Sequence, residues 1–400
     1  MPVVVSGIGL CTSLGFDVET SWDNLIRPSP LAALGPLPSE RGEGNSCGYG
    51  RAKELADKAA IEALTDAGLW DGEILQGLDP ERIGCTFSAS KPLWQPSSGL
   101  RPPSPEMGEG LPMLSPSPFS GEGGGEGTWV PPDAINDFVS NRFGLAGERR
   151  NVIAACATGA YSIALGASWI EQGLCDVVIA GSVEPQPHPL IEAGFQRMGV
   201  ISTEGITRPF DKRRSGFTFG EGAGVVVLES EESAQRRRAK VHVRLAGWAL
   251  GADAHSAVAF NSNGRRVADV ISKALLRAKI ETSQLSHVHA HGTATQLNDR
   301  IETQALLKAF GRQADKLMIS ATKASTGHLL GASGSVEFVL MVMSLWRQFI
   351  PPTATLEEPD PECPLDYTPQ NGHPAAFENA LSLSFGFGGP IGALVVSIPL

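Results

Sequence analysis

The stretch "VVVSGIGLCTSLG", residues 3–15, joins a run of β-branched residues to glycines and small polar residues. A stretch of the same kind returns in the second half of the chain as "VHVRLAGWALGAD", residues 241–253. Apolar, β-branched runs of this length predict buried strands. Because each of the two stretches opens a similar series of elements, they indicate an internal repeat, and this repeat decides the fold.

The two series contain strands and helices in the same order. The first continues with a helix over 52–69, a strand over 82–90, a helix after Cys156, and strands over 176–184 and 223–230. The second continues with a helix over 267–280, a strand over 287–295, a helix over 327–346, and strands over 381–389 and 392–400. Strands alternating with helices predict mostly parallel sheets covered on both faces. We therefore predict an α/β protein of two halves, residues 1–240 and 241–400, stacked as a layered α/β/α/β/α body around central helices.

One segment departs from this pattern. Residues 90–127 are rich in proline, glycine and serine and have no period. Such a composition cannot bury a core, so we predict a disordered or loosely ordered surface insertion that the fold does not need. An inert insertion and a functional lid are both compatible with the sequence.

Charge and cysteine usage limit the class of function. The 400 residues carry a net charge of −11, which argues against a general nucleic-acid-binding protein. Two basic runs, "DKRRSG" (211–216) and "AQRRRAK" (234–240), could contact an acidic partner, although such runs are more often solvated surface. No stretch approaches the roughly 18 apolar residues of a membrane span. The six cysteines lack metal-ligand spacing, which is typical of a reducing, cytoplasmic setting: Cys11, Cys47, Cys85, Cys156, Cys175 and Cys363.

A cysteine stands where an apolar run meets a stretch of small residues. In "VIAACATGAYSIALG", residues 152–166, we predict that Val152–Ala155 end a buried strand and that Thr158–Gly166 form a helix. Cys156 would then occupy a sharp strand-to-helix turn that exposes a nucleophile, and the positive end of the helix would lower its pKa. A free cysteine is more often a small buried hydrophobe. This stretch alone supports either interpretation.

Three further stretches carry residues suited to hydrogen-bond and proton-transfer chemistry. "HAHGTATQLNDRIE" (289–302) places His291 at the end of a strand, and "KASTGHLLGASG" (323–334) places His328 at the start of a predicted helix. "SFGFGG" (384–389) ends a strand with glycines and two aromatic rings. Each also has a structural explanation, as a satisfied polar group, a helix cap or a bulge. Because open α/β sheets collect ligands at strand C-terminal ends, we expect the cysteine and both histidines to meet there.

Five ordered motifs together carry a resemblance to a known family. They are "ACATG" (155–159), "RPFDKRRSGFTFGEGAG" (208–224), "HGTATQLND" (291–299), "KASTGHLLGASG" (323–334) and "SFGFGG" (384–389). The chain resembles the β-ketoacyl-[acyl carrier protein] synthases, elongating condensing enzymes of the thiolase-like superfamily, in the type II fatty acid synthase and polyketide ketosynthase branch. The resemblance covers nearly the whole chain except about 90–127. It implies an acyltransferase that condenses a cysteine-bound acyl chain with malonyl-[acyl carrier protein], with loss of CO2.

The resemblance also implies roles for single residues. Cys156 would hold the acyl chain, and the amides of Cys156 and Phe387 would form the oxyanion hole. His291 and His328, as neutral imidazoles, would bind the malonyl thioester carbonyl, and a helix dipole would help to keep His328 neutral. The other implied site residues are Lys323 and Glu302 as a supporting ion pair, Asp299 beside them, Thr293 and Thr295 on the phosphopantetheine arm, and Phe385 and Phe387 at the acyl pocket, with Phe387 as its gate.

Partners follow from the same resemblance. It implies acyl carrier protein as the partner and a two-fold dimer through the N-terminal half, in which the strand that precedes "VIAACATG" (152–159) pairs across the axis, or a heterodimer with a ketosynthase-like subunit. No metal or organic cofactor is expected, because decarboxylation of the substrate drives the reaction. The chain departs from the family pattern at Ser215 and Gln296, and near the gate at Leu383, Pro390 and Ile391.

Two other functions compete with the condensing enzyme. A non-catalytic, chain-length-factor-like subunit would bind and shape a partner's site, but such subunits typically lack the nucleophile, which is present here as Cys156. A degradative thiolase would use a second cysteine near the C-terminus, whereas "SFGFGGPIG" contains none and Cys363 falls in a proline-rich stretch.

Overall fold

The computed structural model describes residues 1–27, 48–72, 78–96 and 127–399. The strands are β1 (Val3–Thr12), β2 (Ile83–Ser88), β3 (Leu93–Pro96), β4 (Gly127–Val130), β5 (Val177–Glu184), β6 (Gly222–Ser230), β7 (Val243–Ala252), β8 (His287–His289), β9 (Met318–Ser320), β10 (Phe349–Ile350), β11 (His373–Pro374), β12 (Asn379–Phe385) and β13 (Pro390–Ser397). The helices are α1 (Val18–Ile26), α2 (Tyr49–Asp66), α3 (Ala134–Phe143), α4 (Thr158–Glu171), α5 (Pro189–Arg197), α6 (Glu231–Arg237), α7 (Arg265–Ala278), α8 (Gln296–Phe310), α9 (Lys323–Thr326) and α10 (Ser333–Arg347). Within these ranges, no helix has the length and hydropathy needed to cross a bilayer.

One mixed sheet forms the frame of the molecule. Nine of the described strands pair in the order β2-β5-β6-β1-β7-β13-β12-β8-β9. The order is symmetric about its middle. Counted outward from there, the strands of the first half are β1, β6, β5 and β2, and those of the second are β7, β13, β12 and β8; each strand has the same rank along the chain as its counterpart. Only three residue pairs, Val3–Val5 against Val243–Leu245, join β1 to β7. The repeat predicted from the sequence is therefore present in space, while the division between residues 240 and 241 stays a prediction.

The prediction of mostly parallel strands is wrong. In this sheet β2–β5, β12–β8 and β8–β9 pair in parallel, and the other five neighbouring pairs are antiparallel. Residues 386–389 join β12 to β13 as a tight hairpin, and a connection this short allows antiparallel pairing alone. The corresponding pair β5–β6 is antiparallel as well, across the longer connection 185–221.

Helices α4 and α10 form the central layer. Both contact strands of the first half (β5, β6) and of the second (β13, β7), and they contact each other. Every residue of α10 from Ser333 to Leu345 is buried, as expected for a helix enclosed on all sides. Helices α2 and α3 cover the outer face of the first half, α7 and α8 that of the second, and a separate apolar cluster lies at each level. The predicted α/β/α/β/α body is confirmed.

The predicted insertion is ordered at both of its ends. Strands β3 and β4 form an antiparallel hairpin from Leu93 opposite Val130 to the pair at residues 96 and 127. The rings of Trp94 and Trp129 pack on His188, with centroids 5.4 and 5.3 Å away. Residues 90–96 and 127 are therefore part of the folded body, which corrects the prediction there. Residues 97–126 and Cys47 lie outside the described residues.

The strand predicted over Val152–Ala155 is not formed. The chain before it runs beside β2, where the backbone of Cys85 bonds to Glu148 and Arg150 at 2.8 and 3.2 Å. The pairing stops there, and Ile153 is 59% exposed rather than buried. The segment lies at the outer edge of the sheet, with a neighbour on one side among the described strands, so the Ile153 side chain is left exposed while Ala154 is buried.

Candidate active site

Cys156 lies on a short 3-10 turn, Ala155–Ala157, that runs directly into α4. Ala155 has a φ of 48°, a left-handed value that a residue with a Cβ adopts only when its surroundings hold it there. The hydroxyl of Thr158 keeps Ala155 in this conformation, because its Oγ1 donates to the Ala155 carbonyl at 2.7 Å and accepts from the Ala154 amide at 3.0 Å. The sharp turn predicted before the helix is present, although no regular strand precedes it.

The cysteine is not pre-ionised. Burial raises the pKa of the Cys156 thiol to about 12, and the charge of Lys323 acts in the opposite direction. The expectation of a lowered pKa is therefore wrong, because the loss of water around the sulfur outweighs the positive groups near it. The resting side chain is a thiol.

One cavity of about 400 Å³ brings most of the predicted site residues together. Its lining contains Cys156, His291, Thr293, Thr295, His328, Phe385 and Phe387. Three exposed apolar side chains, Met198, Val258 and Leu297, also line it. Lys323, Glu302 and Asp299 do not reach the cavity and are fully buried behind its wall.

His291 lies two residues beyond β8 and is 3% exposed. Its Nδ1 is 3.2 Å from Nζ of Lys323. An ammonium group has no lone pair and can only donate, so this contact assigns the ring proton to Nε2. Burial first, and then the charge of Lys323, lowers the pKa of His291 well below its ordinary value. His291 is therefore a neutral imidazole with an Nε2–H donor.

His328 is held in the same tautomer. Its Nδ1 accepts a hydrogen bond from the Leu330 amide at 3.0 Å and lies 3.0 Å from the hydroxyl of Ser333. Burial, followed by Lys323, lowers the pKa of His328 well below its ordinary value. The two imidazoles meet edge to face with centroids 5.6 Å apart, so two neutral Nε2–H donors line the cavity beside Cys156.

The predicted position of His328 is corrected. No helix begins at this residue, which lies between α9 and a 3-10 turn, Leu330–Ala332, five residues before α10. The backbone of His328 forms a single bridge with Phe219 instead. Burial, rather than a helix dipole, is the main cause of its neutral state.

The predicted ion pair between Lys323 and Glu302 is also corrected. Nζ of Lys323 pairs with Glu337, donates to the His291 carbonyl at 2.6 Å and contacts the His291 ring. Glu302 instead accepts from the amides of His291 and Gly292 at 2.7 and 2.9 Å. Burial raises the pKa of Glu302 to about 8 and that of Glu337 to about 7. Both carboxyl groups hold His291, one through its backbone and one through Lys323.

Glu337 is the site residue that the sequence analysis missed. It is the sole acidic residue of α10, a mostly apolar helix that is buried from Ser333 to Leu345. A carboxyl group in such a helix needs a buried partner, because an unpaired buried charge costs several kcal/mol. That signal, together with a lysine on the preceding short helix, could have identified the pair.

Asp299 and the two threonines organise the start of α8. Asp299 accepts from the Phe210 amide at 2.8 Å and lies 3.9 Å from Arg214, so it fastens the "RPFDKRRSG" segment. Thr295 caps α8 by accepting from the Asn298 amide at 3.3 Å, and its hydroxyl is 3.0 Å from that of Thr293. The threonines line the cavity and Asp299 does not.

Phe387 lies in the hairpin turn 386–389. The amides of the glycines around it are used, since Gly386, Gly388 and Gly389 each donate to a backbone carbonyl. Among the described residues, the amides of Cys156 and Phe387 have no acceptor. The Phe387 ring rests 6.1 Å from that of Phe195 on α5. Two unused amide donors therefore lie at the two positions predicted for an oxyanion hole.

Comparisons with known proteins give β-ketoacyl synthases as the relatives of both halves of the chain. The β-ketoacyl synthase N-terminal domain family matches residues 49–234, and the C-terminal domain family matches residues 242–357. A 3-oxoacyl-[acyl-carrier-protein] synthase 2 of Synechocystis is 32% identical over 97% of this chain and 95% of that protein. A putative polyketide β-ketoacyl synthase 1 of Streptomyces cyaneus is 38% identical over 67% of this chain and 65% of that protein. A solved type II polyketide ketosynthase, bound to a hexaketide and in complex with its acyl-carrier protein, aligns over 100% of this chain and 99% of its own with a TM-score of 0.79 and 25% identity.

Proposed function

The chain belongs to the β-ketoacyl synthase family, and we propose that its cavity joins an acyl chain carried on Cys156 to malonyl-[acyl carrier protein]. The chain is a condensing acyltransferase of fatty acid or polyketide biosynthesis, and its product is a β-ketoacyl-[acyl carrier protein]. One observation carries the assignment of residues: a cysteine and two neutral histidines with Nε2–H donors line a single cavity.

The first half-reaction is thioester exchange. The sulfur of Cys156 attacks the acyl thioester carbonyl, the bond to the carrier sulfur breaks, and the thiol proton leaves on the released carrier thiol. The unused amides of Cys156 and Phe387 stabilise the oxyanion, and each such donor contributes about 3 kcal/mol. Since the resting sulfur is a thiol, attack and proton transfer are coupled.

The second half-reaction is decarboxylation. The bond between the malonyl carboxylate and the methylene carbon breaks, CO2 leaves, and the electron pair forms an enolate on the thioester oxygen. His291 and His328 donate to that oxygen from Nε2. The methylene carbon then attacks the acyl–Cys156 carbonyl, the bond from that carbon to the sulfur breaks, and the released thiolate takes up a proton from water. The substrate's own carboxylate supplies the electron pair, so the proposed reaction uses no metal or organic cofactor.

Acyl carrier protein is the proposed partner, and its phosphopantetheine arm is the proposed occupant of the cavity's outer part. Thr293 and Thr295 offer hydroxyl groups to the arm, and the exposed side chains of Met198, Val258 and Leu297 offer apolar contact beside them. Phe385 and Phe387 lie on the acyl side, with Phe387 as the gate. We place the reaction in the cytoplasm, where free thiols stay reduced.

A second copy of the chain is the proposed dimer partner. Within residues 148–154, the backbone of Glu148 and Arg150 bonds to Cys85 of β2 on one side, and no described strand lies on the other side. An open edge with an exposed isoleucine invites pairing with the same edge of another chain. A ketosynthase-like subunit with a similar edge could replace the second copy.

The competing functions have less support. A chain-length-factor-like subunit needs no nucleophile, yet Cys156 lines the cavity together with both histidines. A thiolase needs a second cysteine in the same cavity, and Cys363 packs instead within the second apolar cluster, where burial raises its pKa to about 11. No observation in the described residues favours either function.

Separating the two half-reactions tests the proposal. Cys156→Ala should abolish acyl loading, measured as a mass shift of the intact protein, and should still release CO2 from malonyl-[acyl carrier protein]. His328→Ala should load the acyl chain and release CO2 about 100-fold more slowly, the usual cost of one lost donor. His373→Ala is the control and should match the wild type in both assays, because His373 is a half-buried histidine of β11 away from the cavity.

Two outcomes would contradict the proposal. Acyl loading of Cys156→Ala at another residue would refute the assignment of the nucleophile. A wild-type protein that neither loads acyl chains nor releases CO2 would favour the non-catalytic partner.

A further inference from the structure

Three residues that the proposed reaction does not use form a cluster beside the active-site turns. Glu184, the last residue of β5, is fully buried. Its Oε1 pairs with Nζ of Lys91, and its Oε2 accepts from the Ser90 hydroxyl at 2.5 Å. The same Oε2 accepts from the backbone amide of Gly331 at 3.2 Å. One carboxylate thus connects residues 90–91, which precede β3, to the turn that follows His328.

The turn that Glu184 holds is strained. Leu330 has a φ of 45°, a left-handed value that is unfavourable for a residue with a Cβ and persists only where neighbours impose it. The amide of this same Leu330 donates to Nδ1 of His328 and so fixes the tautomer of the catalytic ring. The next amide, that of Gly331, is the one that Glu184 accepts. The carboxylate therefore holds the turn at the residue directly after the strained one.

Packing leaves this turn little freedom. A Cβ added to Gly331 would lie 2.3 Å from the Ser90 Cβ and 3.1 Å from Oε2 of Glu184. Ser90 and Glu184 thus both pack against the turn, and Glu184 also accepts a hydrogen bond from it. If the carboxylate moved, both its hydrogen bond to Gly331 and its packing against that residue would be lost.

Lys91 is also within electrostatic range of the reacting groups. Burial is the main cause that raises the pKa of Cys156, and Glu184 adds to it while Lys91 opposes it. Burial and Lys323 lower the pKa of His328, and Lys91 acts in the same direction. Lys91 is therefore a minor electrostatic influence on Cys156 and His328 beside burial, and it does not line the cavity.

We propose that Lys91 and Ser90 are positioning residues that clamp Glu184 on Gly331 and thereby hold the Leu330 amide on His328. The clamp keeps the Nε2–H of His328 aimed at the developing enolate. It acts on decarboxylation and leaves thioester exchange at Cys156 nearly unchanged. The predicted effect on the rate of decarboxylation rests on the proposed function, whereas the predicted position of the proton on the His328 ring does not.

The kinetic test compares four variants of the full chain. Lys91→Met keeps the aliphatic stem and removes the cation, so kcat for CO2 release from malonyl-[acyl carrier protein] should fall about 10-fold, less than the roughly 100-fold loss of the donor itself. KM and the rate of acyl loading should each stay within about 3-fold of the wild type. Lys91→Arg keeps a cation at this position and should retain the wild-type kcat, whereas Ser90→Ala should lower kcat about 3-fold. Lys58→Met is the matched control, because it removes another paired lysine, 3.7 Å from Glu54 on the outer helix α2, that does not line the cavity.

The second measurement reads the ring proton directly. In protein labelled with 15N-histidine, wild-type His328 should show an unprotonated Nδ1 and a protonated Nε2. In Lys91→Met the two nitrogens should show averaged shifts, because the Leu330 amide no longer fixes the tautomer. Lys91→Arg and Lys58→Met should retain the wild-type signature, and loss of the signal in His328→Ala assigns it.

The outcomes separate the alternatives. Lys91→Met with wild-type kcat and wild-type histidine shifts would overturn the inference. Equal losses in acyl loading and CO2 release, with a lowered melting temperature, would also overturn it, since they indicate a merely structural ion pair. If Lys91→Met does not fold, Ser90→Ala decides, because it leaves no unpaired charge. If the wild type releases no CO2, the proposed function fails, and the histidine shifts still decide the clamp.

Discussion

At the residue scale, burial has opposite consequences for the two kinds of group in the cavity. It keeps His291 and His328 neutral, which the proposed donors require, and it raises the pKa of the Cys156 thiol to about 12. A site wet enough to ionise the sulfur would let the imidazoles become protonated. The arrangement therefore favours a protonated cysteine that reacts once a thioester has entered.

Alkylation of Cys156 should follow its high pKa. The rate with iodoacetamide should rise about 10-fold per pH unit from pH 7 to 10, because the thiolate fraction grows tenfold per unit below the pKa. Peptide mapping by mass spectrometry assigns the modified residue. A small free thiol, with a pKa of about 8.5, should level off within the same range and serves as the control. A plateau for Cys156 below pH 9 would contradict the burial argument.

At the scale of elements, the crossing of α4 and α10 sets the distance between the two catalytic turns. The helices touch backbone to backbone: a Cβ on Gly159 would lie 2.3 Å from the Ser335 nitrogen, and one on Gly334 would lie 2.7 Å from the Ala160 nitrogen. The hydroxyls of Ser182 and Ser335 bond at 2.7 Å beside this crossing. Because each helix begins directly after its turn, close packing at the helix starts brings Cys156 near His328.

Gly159→Ala tests the importance of this crossing. The added methyl group must push the helices apart, so the free energy of unfolding should fall by about 1–3 kcal/mol and acyl loading should slow. Gly194→Ala is the matched control, because Gly194 lies in α5 with no atom within 4 Å of an added Cβ. It should be neutral or stabilising by up to about 1 kcal/mol, from helix propensity alone. Urea unfolding measures both, and equal effects would refute the crossing as a constraint.

At the scale of the whole molecule, the sequence predicted the layers better than the contacts. Strands such as β5 and β6 are buried along their whole length and mostly apolar, so their pattern is visible without a structure. Strand direction was missed, because it depends on where a connection returns. The partner of Lys323 was missed as well: Glu302 and Glu337 are both buried acids on helices of the second half, and which one faces the lysine is decided by packing.

The open sheet edge at residues 148–154 predicts the assembly state. The protein should sediment at about twice the mass of its 42.1 kDa chain. Ile153→Asp, which places a charge at the edge, should shift the equilibrium toward monomer by 10-fold or more, roughly the effect of one buried unpaired charge at an interface. Leu276→Asp, on the outer helix α7 and 79% exposed, is the control and should leave the mass unchanged. A wild-type monomer at micromolar concentration would refute the proposed dimer.

The two turns that lead into the central helices are copies with different contents. Ala155 and Leu330 open them with φ values of 48° and 45°, and the next residue is Cys156 in one copy and Gly331 in the other. The space that a side chain would need at the second position is filled by Ser90 and Glu184. Of the two turns, only the first has room for a reactive side chain at this position. The repeat is therefore symmetric in its backbone and not in its chemistry, because the second half has a closely packed glycine where the first half carries the nucleophile.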